Sequence, residues 1–184
     1  MTNIQRVGVI GTGTMGNGIA QVFAQTGHDV VMVDVQQDFL DRATKNIEGS
    51  LQRLVKKEKI AADDVSTIMG RISTGTQPQS AQEVDFVVEA VTEKETIKLD
   101  VHKSLGEVLR DDVIISSNTS SIPITKLAVA SGRPDRFIGM HFMNPVPVMK
   151  LVEVINGLDT SQQTTDTTVD LAKKLGKIPV PCKD

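Results

Sequence analysis

The chain has 184 residues, of which 20 are basic and 23 acidic, so its formal net charge is -3. This length allows a buried core in one domain, and the charge balance argues against a general nucleic-acid-binding surface. The single cysteine, Cys182, excludes an intrachain disulfide and favours a reducing compartment.

No apolar run is long enough to span a bilayer, and residues 1–5 are too polar for a signal peptide. We therefore expect a soluble cytoplasmic protein that does not enter a membrane. No cluster of side chains predicts a metal site.

The first predicted element is a strand, Arg6–Ile10, which runs directly into a glycine-spaced turn. In this turn Gly11 permits the tight bend, Gly13 lets backbone N–H groups approach a pyrophosphate, and Gly16 lets the next helix pack closely on the sheet. A bound anion would then lie at the positive end of that helix. The predicted cofactor contacts of the turn are Gly11, Thr12, Gly13, Thr14, Met15 and Gly16.

A second predicted strand, Asp29–Val33, is followed by Asp34, which lies 18 positions after Gly16. At this spacing a carboxylate meets the hydroxyls of the adenosine ribose. A carboxylate there repels a 2′-phosphate, and residues 35–37 offer no arginine to bind one. The sequence therefore favours NAD over NADP.

A long amphipathic helix is predicted from about Asp38 to Glu58. Its apolar face is formed by Phe39, Leu40, Ala43, Ile47, Leu51, Leu54 and Val55. Its end is basic, with Arg53, Lys56, Lys57 and Lys59, and the simplest interpretation of these side chains is a solvated helix terminus.

The next segment predicts further alternation of helices and strands. We first expect a short helix that is capped by Asp63–Asp64 and closed by Gly70, followed by a strand at 72–74 and a loop at 77–80. A buried strand at 84–90 comes next. It is followed by a helix at 96–109, with Ile97, Val101, Leu105 and Val108 facing inward, and by a strand at 113–117. Repeated strand-then-helix order predicts an α/β fold with a doubly wound, mostly parallel sheet of the Rossmann type. Its ligand-binding rim would comprise 11–16, Asp34, 90–93 and 117–121.

The last third of the chain has a different pattern. Residues 116–121 are small hydrogen-bonding residues at a strand end, and either a binding role or a capped turn into a helix at 123–127 explains them. Beyond them we predict strands at 137–142 and 150–155, a helix at 161–175 capped by Ser161, and a final strand at 178–182. The prolines of the final strand are typical of a sheet edge.

Two titratable residues stand inside apolar strands, His141 and Glu153. A carboxylate buried there needs a partner, and the turn at 144–147 lets the two strands lie side by side with these residues in contact. An imidazole backed by a carboxylate is a suitable base for an alcohol that loses a hydride. His28 and His102 lack a comparable neighbour in the sequence, and we interpret them as structural or surface residues.

Three segments carry a resemblance to a known family: the turn at 11–16, Asn118-Thr119-Ser120-Ser121, and His141-Phe142-Met143-Asn144-Pro145-Val146-Pro147 with Glu153 behind it. With them the chain resembles the NAD-binding domain of the 3-hydroxyacyl-CoA dehydrogenases, in particular the bacterial 3-hydroxybutyryl-CoA type. The resemblance covers essentially all of residues 1–184.

The resemblance implies a role for several residues. It implies His141 as general acid and base, Glu153 as its orienting partner, and Ser120 and Asn144 as polar groups around the substrate oxygen and the nicotinamide. It also implies cofactor contacts at Glu93 and Lys98, and coenzyme A contacts at Ser50 and Lys57. On this interpretation the basic end of the long helix meets a nucleotide phosphate.

The chain stops at Asp184, where members of that family continue into a helical domain that forms the dimer and closes over the acyl chain. We therefore expect NAD binding by this chain, and weak or no turnover when it is alone. Two alternatives stay open: a non-catalytic NAD-binding fragment, and a dehydrogenase of a 3-hydroxy acid without coenzyme A.

Overall fold

Eight strands form one sheet in the computed structural model, which describes residues 4–184. The strands are β1 (Arg6–Ile10), β2 (Asp29–Val33), β3 (Ile72–Gly75), β4 (Phe86–Glu89), β5 (Ile114–Ser117), β6 (Phe137–Phe142), β7 (Leu151–Asn156) and β8 (Ile178–Lys183). The signal-peptide prediction concerns residues 1–5, of which 1–3 lie outside the described residues.

The strand order is β3-β2-β1-β4-β5-β6-β7-β8, and every neighbouring pair is parallel except β6 with β7. The chain winds outward from β1 in one direction and from β4 in the other, so a crevice opens where these two strands end. There the amide of Gly11 donates to Val33 O at 2.8 Å, and that of Ala90 donates to Ile10 O at 2.7 Å. The predicted doubly wound, mostly parallel sheet of the Rossmann type is confirmed.

Helices cover both faces of the sheet. They are α1 (Thr14–Gln25), α2 (Gln37–Lys56), α3 (Ala62–Gly70), α4 (Glu95–Val108), α5 (Ile124–Ser131) and α6 (Gln162–Lys174), with short 3₁₀ turns at Pro78–Ala81 and Pro134–Arg136. The apolar core around α1, α2, α3 and α6 lies on one face, and that around α4 and α5 lies on the other. Such two-sided cover explains why the central strands β1, β2 and β4 are mostly apolar and buried rather than alternating.

Four local predictions need correction. Phe39 does not join the apolar face of α2, because it is 37% exposed and Arg42 lies over its ring at 5.6 Å. Helix α3 is capped at Ala61, and Asp64 instead accepts a hydrogen bond from the Ala61 amide at 2.9 Å. Gly70 belongs to the helix rather than following it, and the predicted loop at 77–80 is mostly a 3₁₀ turn.

Helix α4 turns Leu105, Val101 and Val108 toward the core as predicted, but Ile97 does not join them. Ile97 is 39% exposed, whereas Lys98 and His102, on the neighbouring side of the helix, are buried against the sheet. His102 is therefore not a surface residue. Buried ionisable groups need partners, and those of α4 are found at the end of β4.

None of the helices within residues 4–184 combines the length and apolarity that a membrane crossing requires.

Candidate active site

The site is built around His141 on β6 and Glu153 on β7. These strands run antiparallel with His141 directly opposite Glu153, which places Nδ1 of the imidazole 2.7 Å from Oε2 of the carboxylate. The predicted contact is present, although Glu153 is only partly buried, with 37% of its side chain exposed. With the Nδ1 proton donated to the carboxylate, Nε2 keeps a lone pair for a substrate proton.

A cleft of about 400 Å³ opens beside the imidazole. It is lined by Met15, Ala90, Val91, Glu93, Asn118, Ser120, His141, Phe142, Met143 and Asn144. The sheet topology thus brings four parts of the chain together: α1 and the connections β4–α4, β5–α5 and β6–β7. Each of them contributes a side chain that the sequence predicts to be cofactor-binding or catalytic. Ser50 and Lys57 are not among the residues that line this cleft. Ser50 lies in the C-terminal half of α2, and Lys57 directly follows the last residue of that helix.

Glu93 organises the loop that carries Ser120. Its Oε1 accepts hydrogen bonds from the Thr119 hydroxyl, from the Ser120 amide at 3.1 Å and from the Ser121 hydroxyl at 3.0 Å. Burial raises the pKa of Glu93, but the Thr119 hydrogen bond and the charge of Lys98 together hold that pKa below its ordinary value. The small residues at 118–121 therefore form a hydrogen-bonded turn and also supply one wall of the cleft, so both interpretations of this segment hold.

Lys98 lies beneath this rim and not on it. Its ammonium donates to Glu89 Oε1 at 2.7 Å and to Val91 O at 3.3 Å, lies 3.3 Å from Glu93 Oε2, and the residue is 1% exposed. Its ammonium is directed at these protein atoms, and the contact of Lys98 with the cofactor stays a prediction. Lys98 acts on the cleft indirectly, because its charge lies beside the carboxylate of Glu93, which lines the cleft.

Glu89 and its partners are functional candidates that sequence reasoning missed. Glu89 is fully buried, and its second oxygen accepts from Ser117 Oγ at 2.6 Å and lies 3.0 Å from His102 Nε2. Burial raises the pKa of Glu89, but its contacts with His102 and Lys98 lower it below the ordinary value. The signal was available, because Glu89 stands in an apolar strand as Glu153 does.

The glycine turn leaves the start of α1 open to a dinucleotide. Gly11 has a φ of +88°, and a Cβ on Gly16 would lie 1.8 Å from the Gly11 carbonyl oxygen, so both positions require glycine. A Cβ on Gly13 meets nothing within 4 Å, and no side chain caps the start of α1 at this residue. The exposed amide groups at this helix start are therefore available to an anion.

Asp34 stands at the end of β2 beside a second, mainly apolar cleft of about 210 Å³. This cleft is lined by Ile10, Val33, Asp34, Val35, Thr76, Pro78, Val91, Asp100, Val101, Ser104 and Leu105. One carboxylate oxygen of Asp34 accepts from the amide and the hydroxyl of Thr12, both at 2.7 Å, which fixes the carboxylate against the glycine turn. The residues present fit a dinucleotide, with its ribose beside Asp34 and its pyrophosphate beside Gly13.

Fold and site together define a dinucleotide-binding α/β protein of the Rossmann type that carries an imidazole–carboxylate pair at its cleft. The sequence model of one family matches residues 6–184, and this family is described as 3-hydroxyacyl-CoA dehydrogenase, NAD binding domain. The chain belongs to that family. The family description agrees with the NAD site that the glycine turn and Asp34 predict.

Individual relatives agree with this assignment. The chain is 54% identical over 179 residues to a probable 3-hydroxybutyryl-CoA dehydrogenase of Deinococcus radiodurans, covering 97% of this chain and 64% of that protein. The crystal structure of (S)-3-hydroxybutyryl-CoA dehydrogenase from Ralstonia eutropha superposes with a TM-score of 0.97 at 47% identity, over 99% of this chain and 64% of that one. A diketoreductase structure superposes with a TM-score of 0.94 at 31% identity, over 100% of this chain and 66% of that one. The chain thus spans less than two thirds of the length of the first two of these relatives.

Proposed function

We propose that this chain is the NAD-binding and acid–base part of a dehydrogenase that oxidises a short-chain (S)-3-hydroxyacyl-CoA to the 3-oxoacyl-CoA and catalyses the reverse reaction. The observation that carries the proposal is the His141–Glu153 pair, 2.7 Å apart and open to a cleft that also contains Met15 of the glycine turn.

The chemistry follows from the position of the pair. Oxidation of a secondary alcohol removes a hydride from the carbinol carbon and a proton from its oxygen. Bound NAD supplies the hydride acceptor, C4 of its nicotinamide. Nε2 of His141 takes the proton, and the Glu153 carboxylate stabilises the resulting imidazolium; in reduction the same nitrogen returns the proton.

Polar groups of the cleft orient the reactants. Ser120 and Asn144 line it together with His141, and we assign them hydrogen bonds to the substrate oxygen and the nicotinamide amide. Glu93, held ionised by Thr119 and Lys98, is assigned the fixing of the Ser120 loop and a contact with the cofactor. The assigned dinucleotide contacts are Gly11, Thr12, Gly13, Thr14, Met15, Gly16 and Asp34.

The coenzyme A part of the substrate is assigned to α2. Ser50 stands on this helix and Lys57 directly follows it; the two are about two turns apart, which puts them on one face. Lys57 follows the last residue of α2 and is exposed, so its ammonium is accessible to a phosphate.

The proposal also covers the remainder of the enzyme, its metabolic role and its location. The relatives named above are longer than this chain, and we propose that a C-terminal part of the same kind is needed for dimerisation, for enclosing the acyl chain and for full turnover. Fatty-acid β-oxidation or butanoate metabolism and a cytoplasmic location are consistent with the substrate class and the single cysteine.

The second candidate is a dehydrogenase of a related substrate without coenzyme A. The superposition on a diketoreductase favours it, since that name specifies no coenzyme A ester. A third candidate is a dinucleotide-binding domain without catalysis.

The experiment has two stages. Chain 1–184 is titrated calorimetrically with NAD, and is then assayed for NADH formation from (S)-3-hydroxybutyryl-CoA both alone and fused to the C-terminal part of a full-length relative. The proposal expects NAD binding in the first stage and a large gain of turnover on fusion. Failure to bind NAD contradicts the proposal, and binding without any gain favours the non-catalytic candidate.

A further inference from the structure

We propose that Lys177 is a positioning residue, whose buried ammonium holds the β6–β7 loop (residues 143–150) and thereby fixes Asn144 beside His141. Nζ of Lys177 donates to the carbonyl oxygens of Val146 at 2.5 Å and of Met149 at 2.8 Å. The holding of the loop is independent of the reaction, whereas its catalytic consequence rests on the proposed function.

The backbone of Lys177 is fixed by the end of α6. Gly176 adopts a left-handed conformation with φ +71° and donates to Lys173 O at 2.9 Å, and the Lys177 amide donates to Ala172 O at 3.0 Å. These two bonds form the closing turn in which a helix ends at a left-handed glycine. The side chain of Lys177 thus starts from a rigid point and reaches from α6 to the loop beyond β6.

The ammonium is buried without a counter-charge. Lys177 is 8% exposed, and burial lowers its pKa, with no contribution from a carboxylate among residues 4–184. Removing an ammonium from water is unfavourable unless its protons are donated to acceptors. Here the acceptors are loop carbonyls, so the position of the loop and the charge of Lys177 depend on each other.

The loop is confined from the opposite side by α1. Gly18 has no side chain, and a Cβ placed on it would lie 3.0 Å from Val146 Cβ and 3.5 Å from Pro147 Cδ. Val146 is 2% exposed and is therefore enclosed between this glycine and the Lys177 ammonium. Within the loop, Pro145 O accepts from the amides of Val148 at 3.0 Å and Met149 at 2.9 Å, which makes a closed turn.

The contacts of the β6–β7 loop bear on the position of Asn144 in the active-site cleft. Asn144 precedes the turn and lines the cleft together with His141, while itself being exposed. On the strand side, Phe142 is 1% exposed and its amide donates to Asn118 Oδ1 at 2.8 Å, so β6 fixes the chain two residues before Asn144. On the loop side, the attachment that keeps Asn144 at the cleft is the pair of Lys177 hydrogen bonds behind the loop.

The first arm of the test uses chain 1–184 and needs no activity. Lys177→Met removes the donors while keeping the length of the side chain, and Lys174→Met, an exposed lysine on the same turn, is the matched control. Amide hydrogen exchange at Val148 and Met149 is expected to accelerate by about 10-fold or more in Lys177→Met, since bonds from a charged donor are lost. Exchange at Val30, which donates to Arg71 O at the other end of the sheet, should change less than about twofold.

Equal exchange at Val148 and Met149 in Lys177→Met and in the wild-type chain overturns the proposal, as does uniform acceleration that includes Val30. If Lys177→Met does not fold, Lys177→Gln, whose shorter and uncharged side chain cannot make both bonds, is measured in its place. The proposal then requires faster exchange at the same two amides, and unchanged exchange there contradicts it.

The second arm uses the fused enzyme. Lys177→Met is expected to lower kcat about 10-fold or more, while the NAD dissociation constant rises by a smaller factor, because the glycine turn and Asp34 keep their contacts and only the assigned Asn144 hydrogen bond to the nicotinamide is weakened. An unchanged kcat overturns the catalytic consequence. If the fused wild-type enzyme is inactive, the proposed function fails, whereas the exchange result still decides whether Lys177 holds the loop.

Discussion

His141 and Glu153 face each other on neighbouring antiparallel strands, with 2.7 Å between imidazole Nδ1 and carboxylate Oε2. This contact commits one ring nitrogen to the protein and leaves the other for the substrate. The strand register sets the geometry, so the pair is formed before any ligand arrives. A preformed base of this kind needs no rearrangement when proton transfer begins.

The glycine turn offers a matched pair of variants. We expect Gly13→Ala to leave the free energy of unfolding within about 1 kcal/mol of the wild-type value, because its Cβ meets no protein atom within 4 Å. Its NAD affinity should nevertheless fall about 10-fold or more, since the methyl group occupies the approach to the pyrophosphate. Calorimetric titration with NAD and urea unfolding measure the two quantities.

Gly16→Ala is the structural counterpart. Its Cβ would lie 1.8 Å from the Gly11 carbonyl oxygen, so α1 has to move away from the turn, and both stability and NAD affinity should fall. If Gly13→Ala binds NAD as the wild type does, the pyrophosphate does not lie where the turn predicts.

Asp34 is expected to set the choice of cofactor. Asp34→Ala removes the negative charge beside the predicted ribose site, so we expect NAD affinity to fall about 10-fold and NADP to be discriminated against less strongly. Parallel titrations with NAD and NADP give the ratio of dissociation constants. An unchanged ratio would show that Asp34 serves only to bind Thr12.

The buried cluster below the cleft predicts acid sensitivity. The pKa of Glu89 in the folded chain lies below its ordinary value of 4.5, so the unfolded chain binds more protons once the pH falls under 4.5. The stability that Glu89 contributes is therefore present above this pH and is lost as the pH falls through the folded-state value. Glu93 and Asp184, whose pKa values are also lowered, add to the same trend.

Glu89→Gln measures this contribution. We expect it to cost up to about 3–5 kcal/mol at neutral pH, because the buried Lys98 loses its closest carboxylate and keeps only that of Glu93, at 3.3 Å, and to flatten the loss of stability in acid. Urea unfolding between pH 7 and pH 3 records both effects, with Glu83→Gln, a largely exposed carboxylate, as the control. The double variant Glu89→Gln, Lys98→Met should be more stable than Glu89→Gln alone; if it is less stable, the pair does not act as a unit.

Substitution of Lys57, directly after α2, distinguishes a coenzyme A ester from a free acid as the substrate. In the fused enzyme, Lys57→Ala should raise KM for (S)-3-hydroxybutyryl-CoA about 10-fold, while the activity on the free 3-hydroxy acid stays unchanged. Lys59→Ala, two residues further along, is the control. Equal effects on ester and free acid would remove Lys57 from the coenzyme A site and favour the second candidate function.

Much of this fold could be predicted because its signals are local. The apolar strand before Gly11, the glycine spacing and Asp34 are all read within about thirty residues, and each lies where the sequence indicated. The contact of His141 with Glu153 could be predicted for a similar reason. A short turn joins their strands, and a carboxylate in an apolar strand requires a nearby partner.

The parts that could not be predicted depend on distant partners. Periodicity favoured Ile97 as an inward residue of α4, but the buried Glu89 on β4 selects Lys98 and His102 instead, and no local pattern reveals that choice. Lys177 presents the same difficulty, because a lysine after a helix is ordinarily solvated. Its burial follows from the carbonyl groups of a loop that ends 27 residues earlier, at residue 150.

The most direct test of the central claim is the effect of His141→Ala in the fused enzyme, with the rate of NADH formation from (S)-3-hydroxybutyryl-CoA and the NAD dissociation constant measured on the same protein. We expect the rate to fall about 10²–10⁴-fold, the range of general acid–base catalysis, while the dissociation constant stays within about twofold. A rate within about tenfold of the wild-type value, at unchanged NAD affinity, would show that the imidazole does not move the proton.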